Sequence, residues 1–138
     1  MTARRAQLFE RLAKRDQVAL HKLARTARTL DEELGRIDGL ITQLEEIKAE
    51  KTASGHQSAS QLRSDAWYLQ QIEEQLGTMR NRKSFLETDK GDVRRRMIEL
   101  EHRKTRAEDH ARAARAQDRD EREDKQAALI PLRNRQAG

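Results

Sequence analysis

The chain has 138 residues, of which 38% are charged, 35% hydrophobic and only 3% aromatic. So little aromatic bulk excludes an ordinary globular core, whereas high charge with a regular apolar repeat is typical of long helices. A single proline, Pro131, argues against a β-protein, which needs frequent turns. The absence of cysteine excludes disulfides and thiolate metal sites.

Apolar residues recur three and four positions apart in two long stretches. This 3.5-residue period keeps one narrow stripe facing a partner helix and predicts a coiled coil. Lys83 and Lys90 occupy two slots of the second stripe, and the small, uncharged segment 52–60 separates the two stripes. The first stripe comprises Leu20, Leu23, Ala27, Leu30, Leu34, Ile37, Ile41 and Leu44, and the second comprises Leu69, Ile72, Leu76, Met79, Leu86, Val93, Met97 and Leu100.

The pattern predicts an all-α protein in which two long helices form an antiparallel coiled-coil hairpin, as a single domain over residues 1–138. We expect helix one over 3–51, a turn over 52–59, helix two over 60–129 and a frayed tail over 130–138. Ser58 or Ser60 would cap helix two. A turn centred near His56 sets residue i level with residue 112 − i. Helix two would then project alone from about residue 111, if both helices rise about 1.5 Å per residue.

Charge is divided unevenly along the chain, whose net charge is +5. Residues 1–28 carry eight Lys and Arg against two acids, whereas residues 31–50 carry two against seven. The predicted hairpin is therefore basic at its open end and acidic toward the turn, although ordinary solvated faces would give a similar composition. The basic first segment, with Leu8, Phe9 and Leu12 on one face, would also suit a membrane surface, but the first turns of a long helix are the simpler interpretation.

Three glycines, Gly35, Gly39 and Gly77, fall inside the helical stretches, where each costs about 1 kcal/mol relative to alanine. The expected register sets Gly35 level with Gly77. This suggests a soft point or a close approach of the two backbones, and chance placement explains it equally well.

No catalytic or metal-binding arrangement is visible in the sequence. The four histidines (His21, His56, His102 and His110) lack metal-ligand spacing, and no phosphate loop or nucleophile motif occurs. A two-helix protein also lacks the concave cavity that catalysis needs. We therefore expect no enzyme, no metal, no cofactor and no small-molecule substrate.

Trp67 and Tyr68 are the one unusual pair, directly after the turn. Because neighbouring residues on a helix diverge by about 100°, at least one of these aromatic rings should be exposed. Exposed aromatic side chains are favoured anchors of protein interfaces. A ring that merely plugs the end of a coiled coil is the alternative.

The stretch WYLQQIEEQL at 67–76, together with RKTRAE at 103–108 and Ala127-Ala128-Leu129, resembles the FliJ family of flagellar export proteins and the related YscO-like stalk proteins of type III secretion. The resemblance implies a non-enzymatic stalk that couples a hexameric export ATPase to an export-gate membrane protein and also escorts export chaperones. It implies a cytoplasmic location, peripheral to the export apparatus of the inner membrane.

The same resemblance implies two contact regions. The ATPase-facing end would comprise Arg4, Arg5, Leu8, Leu12, Arg103 and Arg106. The gate-facing patch would comprise Ile41, Glu45, Trp67, Tyr68, Ile72 and Gln75.

Two alternatives stay open. The first is a basic coiled coil that binds nucleic acid, favoured by the pI of about 9.9, although no aromatic residues lie among the arginines. The second is a parallel homodimer of one continuous helix, which Gly55 and its neighbouring serines disfavour.

Overall fold

The computed structural model describes residues 2–53, 55 and 58–137, with side chains as far as residue 130. Two helices account for nearly all of these residues: α1 spans Thr2–Ala53 and α2 spans Ala59–Ala137. They pack against each other within one chain, so the predicted all-α helical hairpin is confirmed. Neither helix, over the described residues, has a stretch long and apolar enough to cross a membrane.

Ser58 caps the start of α2. Its hydroxyl accepts a hydrogen bond from the backbone N–H of Gln61 at 3.1 Å, and its carbonyl accepts one from Leu62 at 3.0 Å. The first bond satisfies a backbone donor that the first turn of a helix leaves without a partner, and the second is the first bond of the helix itself. The predicted turn centre, His56, lies outside the described residues. At the other end, α2 continues through Pro131 to Ala137, so the helix does not end near Leu129 as expected.

The described chain divides into two compact units. The turn unit, Ala24–Arg95, contains the second part of α1 and the first part of α2. Its core is a cluster of Leu34, Ile37 and Leu86, against which Leu30, Ile41 and Met79 pack. Ile72 and Leu76 are also buried. All of these residues belong to the predicted apolar stripes, because a 3.5-residue repeat selects the face that turns toward the partner helix.

Ion pairs line the apolar stripe of the turn unit. Lys83 and Lys90, which occupy stripe positions, reach outward to Asp38 (Nζ–Oδ1 2.8 Å) and to Asp31. Long lysine stems cover apolar surface while their charged ends stay in contact with water. The two lysines therefore bridge the helices.

The terminal unit, Met1–Leu23 with Arg96–Gly138, packs through smaller side chains. Leu100 is its one large apolar residue that is fully buried, and the other buried apolar residues described in it are Ala6, Ala13, Ala107, Ala111 and Ala114. We call these five residues the alanine seam. Because a small side chain allows close helix packing, this seam joins the helices where the sequence offers no leucine repeat.

Residues of α1 contact residues of α2 that have higher numbers than the register expected from the sequence implies. The expected register sets Asp31 level with residue 81, but Asp31 pairs with Lys90. It sets Asp16 level with residue 96, but Asp16 pairs with Arg103. Helical side chains lean toward the helix N-terminus, but this accounts for only about one position on each helix, so the two helices are also displaced along each other relative to the expected register. The expectation that α2 projects alone from residue 111 is consequently wrong, since Ala111 and Ala114 are buried and Thr2 donates a hydrogen bond to Glu121.

The glycines do not mark a close approach of backbones. A methyl group added at Gly35, Gly39 or Gly77 would meet no atom within 4 Å. Gly35 instead shares the lining of an open groove with Gly91, which the sequence register did not pair with it. Charged side chains of both signs line this groove: Asp31, Asp38 and Glu87 are acidic, and Lys90 and Arg94 are basic.

The alanine seam predicts that the terminal unit does not tolerate a larger side chain at a seam position. Replacing buried Ala111 by leucine should destabilise the fold by about 1–3 kcal/mol, because the extra carbons force the helices apart. The matched control is Ala113→Leu, which adds the same side chain at an exposed position and should change stability by less than about 0.5 kcal/mol. Urea unfolding followed by circular dichroism measures both. Equal stability of the two variants would contradict the seam.

Candidate interaction surfaces

The best-formed polar contact of the terminal unit joins Asp16 of α1 to Arg103 of α2. The Nε and Nη2 groups of Arg103 donate to the two carboxylate oxygens of Asp16 at 3.0 and 2.6 Å. Asp16 is only 3% exposed, whereas the guanidinium remains half-exposed. The donated hydrogen bonds from Arg103 hold the pKa of Asp16 below its ordinary value, against the opposing effect of burial.

A second arginine forms the same two-bonded contact with a carboxylate, which we call a fork; it lies six residues earlier on α1 and twelve residues later on α2. The Nε and Nη2 groups of Arg115 donate to the carboxylate of Glu10 at 2.9 and 3.2 Å. The hydrogen bonds from Arg115 lower the pKa of Glu10. These two forks engage both acids that α1 carries between residues 2 and 23.

An aromatic contact lies next to the two forks: His110 falls between their arginines on α2, and Phe9 directly precedes Glu10 on α1. The Phe9 ring stacks on His110 with 5.0 Å between ring centroids, and the Arg5 guanidinium lies 5.8 Å from the centre of the Phe9 ring. A groove of about 370 Å³ opens beside this stack. Its lining is Phe9, Leu12, Arg15, Asp16, Arg103, Arg106, Ala107 and His110.

The structure brings together only some residues of the predicted ATPase-facing end. Arg4, Arg5, Leu8 and Leu12 are exposed on α1, and Leu12 and Arg106 line the same groove. Arg103, in contrast, is engaged by Asp16 and serves the hairpin itself. Sequence reasoning placed Phe9 on an apolar face but missed its contact with His110 and the partners of the two acids, because only the true register shows which residues of α2 meet them.

A larger groove, of about 700 Å³, lies along the terminal unit and includes Ala13, Ala111 and Arg119. Gln17 also lines it; its Nε2 lies 3.0 Å from the Nε2 of His21, and its buried Oε1 has no hydrogen-bond partner among the described residues. The floor of the groove is apolar because it follows the alanine seam.

The turn unit presents the second predicted surface. Trp67 is 61% exposed and Tyr68 42%, so the prediction that at least one aromatic ring is exposed is confirmed. The Nζ of Lys51 lies 5.0 Å from the centre of the Tyr68 ring, a cation–π contact that holds this ring against α1. Trp67 has no such contact among the described residues.

The other members of the predicted gate-facing patch differ in accessibility. Glu45 is exposed and accepts a hydrogen bond from Arg80 at 2.9 Å, and Gln75 is exposed. Ile41 is half-buried against the core, and Ile72 is buried in the apolar stripe, where it supports the helix pair and offers no surface. The accessible part of this patch is therefore Trp67, Tyr68, Glu45 and Gln75.

Within the described residues, no group of three or more His, Asp or Glu side chains is placed to hold a metal ion. Comparison with protein-family models, with curated proteins and with solved structures gives no match to this chain. Functional proposals therefore start from the exposed surfaces of the terminal unit and the turn unit described above.

The Asp16–Arg103 fork predicts a pH dependence of stability. A carboxyl whose pKa is lowered on folding stabilises the fold above its unfolded pKa of about 4, and this contribution is lost as the pH falls through the folded value. Asp16→Asn should therefore lower the free energy of unfolding by about 1–3 kcal/mol at pH 7. The difference in stability between this variant and the native chain should shrink below about pH 4.

Urea unfolding of both chains at several pH values between 7 and 3 measures this difference in the free energy of unfolding. The contributions of all other acids are the same in both chains and drop out of the difference. Asp109→Asn, at an exposed position, is the matched control and should show a smaller gap at neutral pH. A gap for Asp16→Asn that stays constant down to pH 3 would show that its charge does not stabilise the fold.

Proposed function

We propose that this protein is a non-enzymatic adaptor of a type III protein export apparatus, flagellar or virulence-type, that links an export ATPase ring to an export-gate membrane protein. The observation that carries the proposal is the presence of two chemically different exposed surfaces on one helical hairpin. The terminal unit exposes arginines with leucines, whereas the turn unit exposes three aromatic rings, those of Trp67, Tyr68 and Phe85. The resemblance to FliJ-type stalk proteins in residues 67–76 and 103–108 agrees with this arrangement.

The difference in charge between the units supports separate partners. The terminal unit contains 17 Lys and Arg against 11 acids, a net charge of +6, and the turn unit contains 12 against 13, a net charge of −1. Charge complementarity of this kind steers association and rejects wrong partners more than it adds affinity. An acidic surface on the ATPase would suit the terminal unit.

The partner surfaces have defined anchors. For the ATPase they are Leu8, Leu12 and Arg106, with Arg4 and Arg5 at the rim. For the gate protein they are Trp67 and Tyr68, because large aromatic side chains contribute most to binding at interface centres. Export chaperones are the third expected class of partner, and nucleic acid is the alternative ligand of the basic unit.

The proposal predicts a division of labour between the two surfaces. With a purified hexameric export ATPase, Leu8→Ser combined with Leu12→Ser should weaken binding at least about tenfold, since it removes exposed apolar anchors without touching the alanine seam. Trp67→Ala should leave ATPase binding within about twofold and should weaken binding to the cytoplasmic part of the gate protein.

Affinity can be measured by fluorescence anisotropy with a dye at an introduced cysteine, since the chain has none of its own. Leu40→Ser, an exposed leucine of the turn unit outside both anchor sets, is the matched control. The adaptor role fails if the native chain binds neither protein. Tight binding to duplex DNA that weakens steeply with salt would favour the nucleic-acid alternative.

A further inference from the structure

The solvent-facing side of α1 in the terminal unit has an unusual composition. Residues on this side recur at alternating spacings of four and three, and all of them are exposed. Every member is either a cation or an aliphatic residue. We call this set the outer stripe: Arg4, Leu8, Arg11, Arg15, Val18 and Lys22.

The outer stripe contains no acid because both acids of this helix segment are turned inward. Glu10 and Asp16 are held by the forks from Arg115 and Arg103 on the other helix. Arg4, Arg11 and Arg15 form no ion pair with any residue that the structure describes. Arg15 contributes only a smaller electrostatic effect to the lowered pKa of Asp16, and Arg4 and Arg11 have no paired acid among the described residues.

The corresponding side of α2 in the same unit provides the comparison. Its exposed residues at the same spacing are Ile98, His102, Thr105, Asp109 and Arg112, and the one acid pairs with the one arginine. That side has the mixed composition of an ordinary solvated face. The outer stripe of α1 is thus a property of one helix rather than of the whole unit.

The apolar members of the outer stripe decide between kinds of anionic ligand. Leu8 and Val18 are 56% and 54% exposed and alternate with the cations. A nucleic-acid backbone offers charge but nothing for aliphatic side chains, and stacking on bases needs aromatic residues, which the stripe lacks. A lipid bilayer offers both anionic headgroups and an apolar layer directly beneath them.

We propose that the outer stripe of α1 binds the surface of a bilayer that contains anionic lipids. The helix would lie in the plane of the surface, with Arg4, Arg11, Arg15 and Lys22 on lipid phosphates and with Leu8 and Val18 at the headgroup boundary. At about 1.5 Å per residue the stripe extends about 27 Å, which reaches several headgroups at once. The proposal goes beyond an adaptor role and requires no partner protein.

The experiment uses the full chain and sedimented vesicles of phosphatidylcholine with about one third phosphatidylglycerol, compared with pure phosphatidylcholine. Binding should require phosphatidylglycerol and weaken as salt screens the charges. Arg4→Gln, Arg11→Gln and Arg15→Gln combined should weaken binding at least about tenfold. Leu8→Ser with Val18→Ser should weaken it about threefold or more while leaving the charge unchanged.

The matched control removes the same three charges elsewhere. Arg36, Arg63 and Arg94 are exposed in the turn unit, and their combined replacement by glutamine should change vesicle binding by less than about twofold. Circular dichroism checks that every variant keeps its helix content. Analytical ultracentrifugation of the native chain without vesicles detects association between copies.

Two results would overturn the proposal. One is equal weakening by the two triple variants, which would mean that only net charge matters. The other is the absence of binding to the anionic vesicles; if the stripe then mediates association with duplex DNA or between copies of the chain, it is assigned to that ligand instead.

Discussion

The terminal unit depends on two arginines of α2 that each hold a carboxylate of α1 across a seam of alanines. Large aliphatic side chains specify pairing in the turn unit, where Leu34, Ile37 and Leu86 form a core. Alanines bury little area, about 25 cal/mol for each Å² of apolar surface, so a seam made of them specifies register weakly. The bidentate forks at Asp16 and Glu10 add geometric specificity that the small side chains lack.

The same constraint sets the surface chemistry. Both acids among the first 23 residues of α1 pair with arginines of α2. The outer stripe of α1 therefore consists of arginine, lysine and aliphatic residues. In the turn unit the lysines of α2 also pair with acids of α1, but there the cations, Lys83 and Lys90, occupy the apolar stripe and the acids lie on the exposed side. The net charges of the two units, +6 and −1, come from their composition, and the ion pairs decide which charged side chains remain on the outer side of each unit.

The fold follows from the sequence to a large extent, and the surfaces follow only in part. A 3.5-residue period fixes which side of a helix is buried, so the predicted stripes from Leu20 to Leu44 and from Leu69 to Leu100 match the half-buried and buried positions. Ser58 was foreseen as a cap because a serine hydroxyl can replace the missing carbonyl partner. The alanine seam went unrecognised, since Ala6 or Ala111 carries no hydrophobic signal of its own in a charged segment. Register was misjudged as well, because a spacing pattern shows which side of each helix is buried but not how far one helix is displaced along the other. That error hid the partners of Asp16 and Glu10, and with them the reason why the outer stripe lacks acids.

Cysteine cross-linking tests the helix register most directly, because the chain has no cysteine of its own. Ala13 and Ala107 lie between two observed contacts, the Phe9–His110 stack and the Asp16–Arg103 fork, and both are buried. The chain with Ala13→Cys and Ala107→Cys should form an intramolecular disulfide on mild oxidation at low protein concentration, visible as faster migration without reductant. The chain with Ala13→Cys and Leu100→Cys, the stripe residue nearest the level that a turn centred on His56 implies, should not. Ready cross-linking of Ala13→Cys to Leu100→Cys, with none to Ala107→Cys, would contradict the register on which both forks and the outer stripe depend.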